Sequence, residues 1–279
     1  MAVEERAPPA TDAPAAEAAT GWARLKERPN LIRVVAVILF FIFWEFAGRE
    51  GNELFMSYPS AIVRAAWIIT ADGTLIEAFR ASMVPFAIGM AISIVGGIAF
   101  GVVMARVWLF EYIVDPYVNA LYAIPRIALV PLITLVAGLQ LGGKITIIVS
   151  IAIFPVIINT YAGMKDVRGS LLEIGHAFCA SERQIFFKIV LPYAVPFIMA
   201  GIRLAVGLAI IGMVVAELFT AVTGLGGLIV RFANAFATDR LFVPIVLVAI
   251  MGVLITQLVQ FIEYRLSRWR QLERERSAQ

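Results

Sequence analysis

The chain predicts an all-α, polytopic membrane protein with six transmembrane helices. Three observations carry that prediction. Of the 279 residues, 61% are hydrophobic and 15% charged, with a mean hydropathy of +0.89; an ordinary soluble domain is about half apolar and about a quarter charged. One soluble core cannot absorb that excess without leaving apolar surface in water. The apolar residues also fall into six runs close to the roughly 20 residues that one helical crossing of the hydrocarbon requires. Finally, Lys and Arg gather in the flanks between runs, mostly on one side of the predicted membrane.

Taken in order, residues 1–29 open with a segment rich in Ala, Pro, Glu and Thr that has no buriable pattern, which predicts a disordered N-terminal tail. A signal peptide fits poorly, because the first apolar run follows a basic stretch and lacks a small-residue cleavage site. The membrane domain covers 30–268, and a basic C-terminal tail occupies 269–279. The spans are placed at 33–48, 82–105, 112–139, 145–164, 196–221 and 241–264, the third interrupted by Pro125 and Pro131. The second carries Gly89, Ser93, Gly97 and Gly101 at four-residue spacing. Such a stripe lets neighbouring helices approach closely, with a solute-lining role as the alternative. With the N-terminus in the cytoplasm, 15 of the 23 Lys and Arg residues fall inside, 6 outside, and Arg126 and Arg203 within spans. Both termini are therefore expected in the cytoplasm.

Segment 165–195 is the one long patterned loop on the inner side. Leu171, Leu172, Ile174, Ala177 and Phe178 give a first short helix an apolar face. Ser181, three residues before Gln184, is a capping-box start for a second. Ile185, Phe186, Ile189 and Val190 make that helix amphipathic, and Pro192 is expected to end it. A helical hairpin with exposed apolar side chains suits a groove on a partner protein or the lipid surface.

The stretch LLEIGHAFCASERQIFFKIVLPYAVPFIMAGIRLAVG resembles the EAA loop of binding-protein-dependent ABC importer permeases. Their pattern runs Glu-Ala-Ala, three residues, Gly, then Leu-Pro downstream. Glu173 takes the glutamate position, Ala180 and Ser181 follow the glycine position, and Leu191-Pro192 close the motif. Ile174-Gly175 replace the alanine pair, and Cys179 stands at the glycine; if that position is left-handed, cysteine costs on the order of 1 kcal/mol there. SYPSAIVRAAW, AIPRIALVPLITLVAGLQLGGKI with FPVIINTYAGM, and VVAELFTAVTGLGGLIVRFANAFATDRLFVPIVLVAIMG are similar to segments of the nitrate/sulfonate/taurine/bicarbonate permeases. The resemblance covers residues 30–270.

It implies a MetI-like type I importer permease fold in a bacterial cytoplasmic membrane, and a division of labour. Two permease copies form the pathway, and two cytoplasmic ATPase subunits grip the loops. An external solute-binding protein delivers a small solute, with anions such as a sulfonate, taurine, nitrate or bicarbonate preferred. ATP and magnesium would be held by the ATPase and no cofactor by this chain. The coupling contacts would come from Glu173, Gly175, Phe178, Cys179, Ala180, Ser181, Phe186, Leu191 and Pro192.

Intramembrane charges mark the candidate pathway residues, because they are costly in lipid. Glu217, within VVAEL, either lines or gates the pathway or pairs with a neighbouring helix. Arg126 lies where the third span is broken and could attract an anion, or snorkel; Arg203 is expected to snorkel. Gly224 and Gly226 permit a tight turn or re-entrant excursion at the outer mouth. His176 reads as a surface residue and Cys179 as a packing residue.

Several motifs are set aside. Gly138 to Lys144 matches G-x-x-x-x-G-K, yet Ile145 follows where Ser or Thr would be needed, and no strand precedes it. Gly224-Leu225-Gly226-Gly227 is no dinucleotide fingerprint, since Ile229 stands at the third glycine. One cysteine and one histidine argue against disulfides and metal sites, and dispersed basic flanks against nucleic acid. A self-contained secondary transporter or channel is the alternative function, but it would show repeated halves or paired midplane charges. An integral membrane enzyme would want an acid/base or metal cluster.

Overall fold

The computed structural model describes residues 29–52, 55–220 and 223–266. The expected tail up to residue 28 and the tail at 269–279 lie outside them. Every regular element among the described residues is helical. These residues divide into two compact units, one ending at Ala61 and the other beginning at Ile62.

In the first unit, α1 (Pro29–Glu50) is apolar around its circumference, and most of its side chains are exposed, as befits a helix solvated by acyl chains. Its C-terminal end is tied down by polar groups. Trp44 Nε1 donates to Ser57 O at 2.9 Å. The Glu45 carboxylate accepts from Ser60 N at 3.0 Å and Ser60 Oγ at 2.7 Å, where α2 (Pro59–Ala71) begins.

In the second unit, α3 (Thr74–Arg106) runs 33 residues, about 50 Å at 1.5 Å per residue. It starts eight residues before the predicted span, because Glu77 and Arg80 beyond the hydrocarbon do not stop a helix. Asp72 opens it: the Thr74 backbone N–H donates to Asp72 Oδ1 at 2.9 Å and holds that carboxyl below its ordinary range. The central helix is α6 (Leu141–Lys165), which packs against α3 on one side and α9 (Leu191–Phe219) on the other. The small-residue stripe serves this packing. A Cβ on Gly89 would lie 2.7 Å from Ile148 Cγ2, and one on Gly97 2.7 Å from Val156 Cβ. Helix backbones approach closely only where such side chains are missing. α11 (Thr238–Leu266) packs on α9 and on the short α10 (Gly224–Asn234).

The third predicted span is two helices. α4 (Trp108–Ala123) is followed by a 3-10 turn (Arg126–Leu129) and α5 (Val130–Ala137), and the pair is bent by 91°. Pro125 sits at the break, whereas Pro131 lies in the first turn of α5, where its missing N–H leaves no carbonyl unpaired. Among the described residues, five helices are long and apolar enough to cross a membrane, or six if the bent pair is one span.

The expected helix end at Pro192 is corrected. The hairpin's second helix, α8 (Glu182–Ile185), passes through a π-turn (Phe186–Val190) straight into α9, giving a continuous 38-residue helix over Glu182–Phe219. A proline lacks the N–H of a regular turn and crowds the carbonyl four residues back. The wider π-turn just before Pro192 relieves both constraints.

Candidate functional site

Two constellations gather the residues singled out by the sequence. The first is the hairpin between α6 and α9. Its first helix, α7 (Gly169–Ala177), ends in a complete Schellman turn: Cys179 N–H donates to His176 O at 2.8 Å and Ala180 N–H to Gly175 O at 3.0 Å. The residue at C′ of such a turn is left-handed, and Cys179 has φ 53°. Ser181 then caps α8: its Oγ accepts from Gln184 N–H at 3.4 Å, while its own N–H donates to Gln184 Oε1 at 2.9 Å. Gly175 is buried at the crossing, where a Cβ would stand 3.0 Å from Ile189 Cδ1 and 3.2 Å from Ile185 Cγ1.

The hairpin divides into an inner and an outer face. Ile185 and Val190 are buried, and Ala180, Phe186 and Leu191 are half-buried against the core of the bundle. The Arg106 guanidinium, at the end of α3, lies 4.9 Å from the Phe186 ring centroid. Pro192 is half-buried at the start of α9, and Ser181, Cys179 and Glu173 are exposed. Phe178 is 83% exposed, and Ile174 on the first helix and Phe187 on the second are exposed as well. Fully burying one such side chain is worth about 1.5–3 kcal/mol. The outer face therefore offers a sizeable apolar contact next to the Glu173 carboxylate.

The second constellation lies where α10 begins. Glu217, on α9, is 0% exposed. Its Oε1 accepts from Ser82 Oγ at 2.6 Å and its Oε2 from the Gly226 backbone N–H at 2.7 Å. Ser82, on α3, also accepts from the Leu225 N–H at 2.8 Å. The first N–H groups of a helix lack intrahelical partners, and the Glu217 carboxyl supplies an acceptor to one of them. The geometry supports the paired form of Glu217, with α3 and the α10 backbone as partners. Gly224 and Gly226 follow from the same approach. Gly224 has φ +74°, and a Cβ there would strike the Glu217 carboxylate. A Cβ on Gly226 would sit 2.8 Å from Glu217 Cβ and 3.0 Å from Val214 O.

Lys144 completes this cluster. It is 6% exposed, and its Nζ donates to Thr223 Oγ1 at 2.6 Å. The lysine of the rejected phosphate-loop match thus stands in the first turn of α6, bonded to the residue that precedes α10. Ser82 and Thr223 are not candidates in the sequence, and Lys144 enters there only through the phosphate-loop match that is set aside. Ser82 carried a signal, since it precedes Gly89 by seven residues and shares the small-residue face. Beside the cluster, a cavity of about 520 Å³ is lined by Glu77, Thr223, Gly227 and Arg231 among others, and a second of about 260 Å³ by Lys144 and Thr223.

Arg126 makes its contacts away from that cluster. Its guanidinium donates to Tyr122 O at 2.6 Å and stacks 4.7 Å and 5.1 Å from the Tyr122 and Phe154 ring centroids, while its Nε is buried without a hydrogen-bond partner. Arg203 forms an ion pair with Glu263 across α9 and α11. Among the described residues, no three His, Cys, Asp or Glu side chains gather as a metal site.

Residues 97–270 match the family described as "Binding-protein-dependent transport system inner membrane component". The chain is 30% identical over 264 residues to the putative aliphatic sulfonates transport permease protein SsuC of Bacillus subtilis, covering 94% of this chain and 95% of that one. It is 30% identical to the formylaminopyrimidine transport permease protein ThiX of Halalkalibacterium halodurans, over 84% of this chain and 93% of that one. It is 28% identical to the nitrate import permease protein NrtB of Synechocystis, over 84% and 89%. Among solved structures, an amino acid ABC transporter chain superposes with a TM-score of 0.56 at 12% identity, over 72% of this chain and 96% of that chain. An inward-facing MetNI methionine ABC transporter chain gives 0.51 at 21%, over 76% and 98%. These two likenesses establish the fold.

Proposed function

The chain belongs to the binding-protein-dependent transport system inner membrane components, and from that membership we propose how it is driven and what it carries. It is a permease subunit of an ABC importer, a multi-pass protein of the inner membrane, and a transport protein with no enzymatic role of its own. An ATPase and a solute-binding protein are its partners.

Two copies of this chain pair to form the pathway, and each hairpin seats in one of two ATPase subunits that hold the ATP and magnesium. The N- and C-termini lie in the cytoplasm with the hairpin, and α10 lies on the outer side with the solute-binding protein. Closure of the ATPase pair moves the hairpins and rocks the pathway between inward- and outward-facing states.

The observation that carries the docking assignment is the exposure of the hairpin's apolar side chains Phe178, Ile174 and Phe187 together with Glu173. Because α8 runs without interruption into α9, a push on it is delivered directly to a membrane-spanning helix. Glu173→Lys is expected to abolish pull-down of the ATPase while leaving membrane insertion intact. Undiminished pull-down by that variant would refute the docking assignment.

The cargo is a small anion. Two of the relatives above are named for aliphatic sulfonates and nitrate, and the formylaminopyrimidine permease is the exception. Arg126 is consistent with an anion, since it places a cationic side chain at the break in the third span. Mass spectrometry of the ligand retained by the partner solute-binding protein tests this directly, and a neutral or cationic ligand would overturn it.

A further inference from the structure

The start of α10 is held by side chains from three long helices. Ser82 of α3 and Glu217 of α9 bind the backbone N–H groups of Leu225 and Gly226, and Lys144 of α6 binds Thr223 just before them. Ser82 and Glu217 also bind each other. The attachment is made to the α10 backbone and to its preceding residue, so it fixes where the helix begins rather than which residues it displays.

The apolar face of α10, with Leu225, Leu228 and Phe232, is buried, while Arg231 and Phe236 are exposed. Phe236 closes α10 in a second Schellman turn, with φ 54° and Ala237 N–H donating to Phe232 O at 3.0 Å. A bulky residue is rarely left-handed, and strained backbone of this kind persists only where its surroundings over-determine it. Both ends of α10 are thus fixed, and Arg231 joins Glu77 in lining the 520 Å³ cavity between α10 and the first turns of α3.

We propose that Ser82, Glu217 and Lys144 form a positioning clamp that presents α10 and the adjoining cavity, with Glu77 and Arg231, as a pre-formed outer surface for the solute-binding protein. This rests on the importer function and orientation proposed above. The chemistry fits a folded protein partner. The cavity carries one side chain of each charge sign, Glu77 and Arg231, so it suits complementary charged side chains of a docking lobe. The clamp lowers the cost of docking by ordering the surface before the partner arrives.

The experiment uses the complete importer in lipid nanodiscs, permease with its own ATPase, titrated with its purified solute-binding protein while ATP hydrolysis is followed. Ser82→Ala and Glu217→Ala are expected to raise the half-maximal binding-protein concentration by about fivefold or more, a larger factor than any fall in maximal rate. Glu217→Gln should recover part of the loss, since its amide oxygen can still accept the Gly226 N–H. A loss confined to maximal rate, or unshifted half-maximal concentrations, overturns the proposal.

A second measurement does not depend on activity. Leu225 is 0% exposed, so Leu225→Cys, in a Cys179→Ser background, is expected to resist a membrane-impermeant maleimide and to become reactive when Ser82→Ala is added. Equal labelling with and without Ser82→Ala overturns the clamp. If hydrolysis by the unmodified assembly ignores the binding protein, the importer coupling fails instead, and the two failures are told apart.

Discussion

Replacing Cys179 by glycine tests whether the hairpin turn is under backbone strain. Cys179 has φ 53° and donates its N–H to His176 O at 2.8 Å, while Ala180 N–H reaches Gly175 O at 3.0 Å. A side chain in the left-handed region costs about 1–2 kcal/mol through crowding of Cβ against the following carbonyl. Glycine removes that cost but gains freedom in the open chain, which returns about 0.5–1 kcal/mol. The net expectation for Cys179→Gly is a turn more stable by about 0.5–1 kcal/mol, or about two- to fivefold in its opening equilibrium. Hydrogen exchange on the protein in detergent reads this at the amides of residues 179 and 180, which should exchange more slowly by that factor. Cys179→Ala separates backbone from sulfur: alanine keeps the Cβ, so its exchange should match that of cysteine. Equal exchange in the glycine and alanine variants, or faster exchange with glycine, would refute the strain argument. A tighter turn would also fix the angle between α7 and α8, and with it the placement of Phe178.

Two further expectations concern packing and charge inside the bundle. Gly226→Ala should lower stability by about 1–3 kcal/mol, as overpacking does, because its Cβ would stand 2.8 Å from Glu217 Cβ. Gly207→Ala, with nothing within 4 Å of the added carbon, should be neutral or stabilising, and thermal unfolding that fails to separate the two would count against the close approach at Glu217. Arg203→Met and Glu263→Gln, alone and together, should show a coupling of about 0.5–1 kcal/mol. Partial exposure of the pair, 37% and 24%, limits it to that range; additive effects would mean that the ion pair contributes nothing.

Much of the fold was legible one residue at a time. Six apolar runs, their order and the break near Pro125 follow from composition, because lipid demands about 20 apolar residues per crossing and satisfies no stray backbone group. The capping box at Ser181 was equally readable, since caps are decided within a few residues of chain, whereas a left-handed residue at 179 was suggested only by the glycine of the resembling motif and not by the cysteine itself. Pro192 misled for a related reason. The rule that proline ends a helix holds for a regular α-turn, and the π-turn before it suspends that rule.

By itself, the sequence determined a six-run helical membrane protein with an amphipathic hairpin between its fourth and fifth spans. Hydrophobicity, turn chemistry and capping act locally, so they can be read without knowing what packs against what. Only the tertiary structure decided that Glu217 is a wholly buried partner of Ser82 and the α10 backbone, that Lys144 reaches Thr223, and that the third span bends by 91°. Ser82 and Glu217 are separated by 135 positions, and Lys144 and Thr223 by 79. A buried polar group takes whichever partner the packed helices bring to it, and no spacing along the chain encodes that meeting.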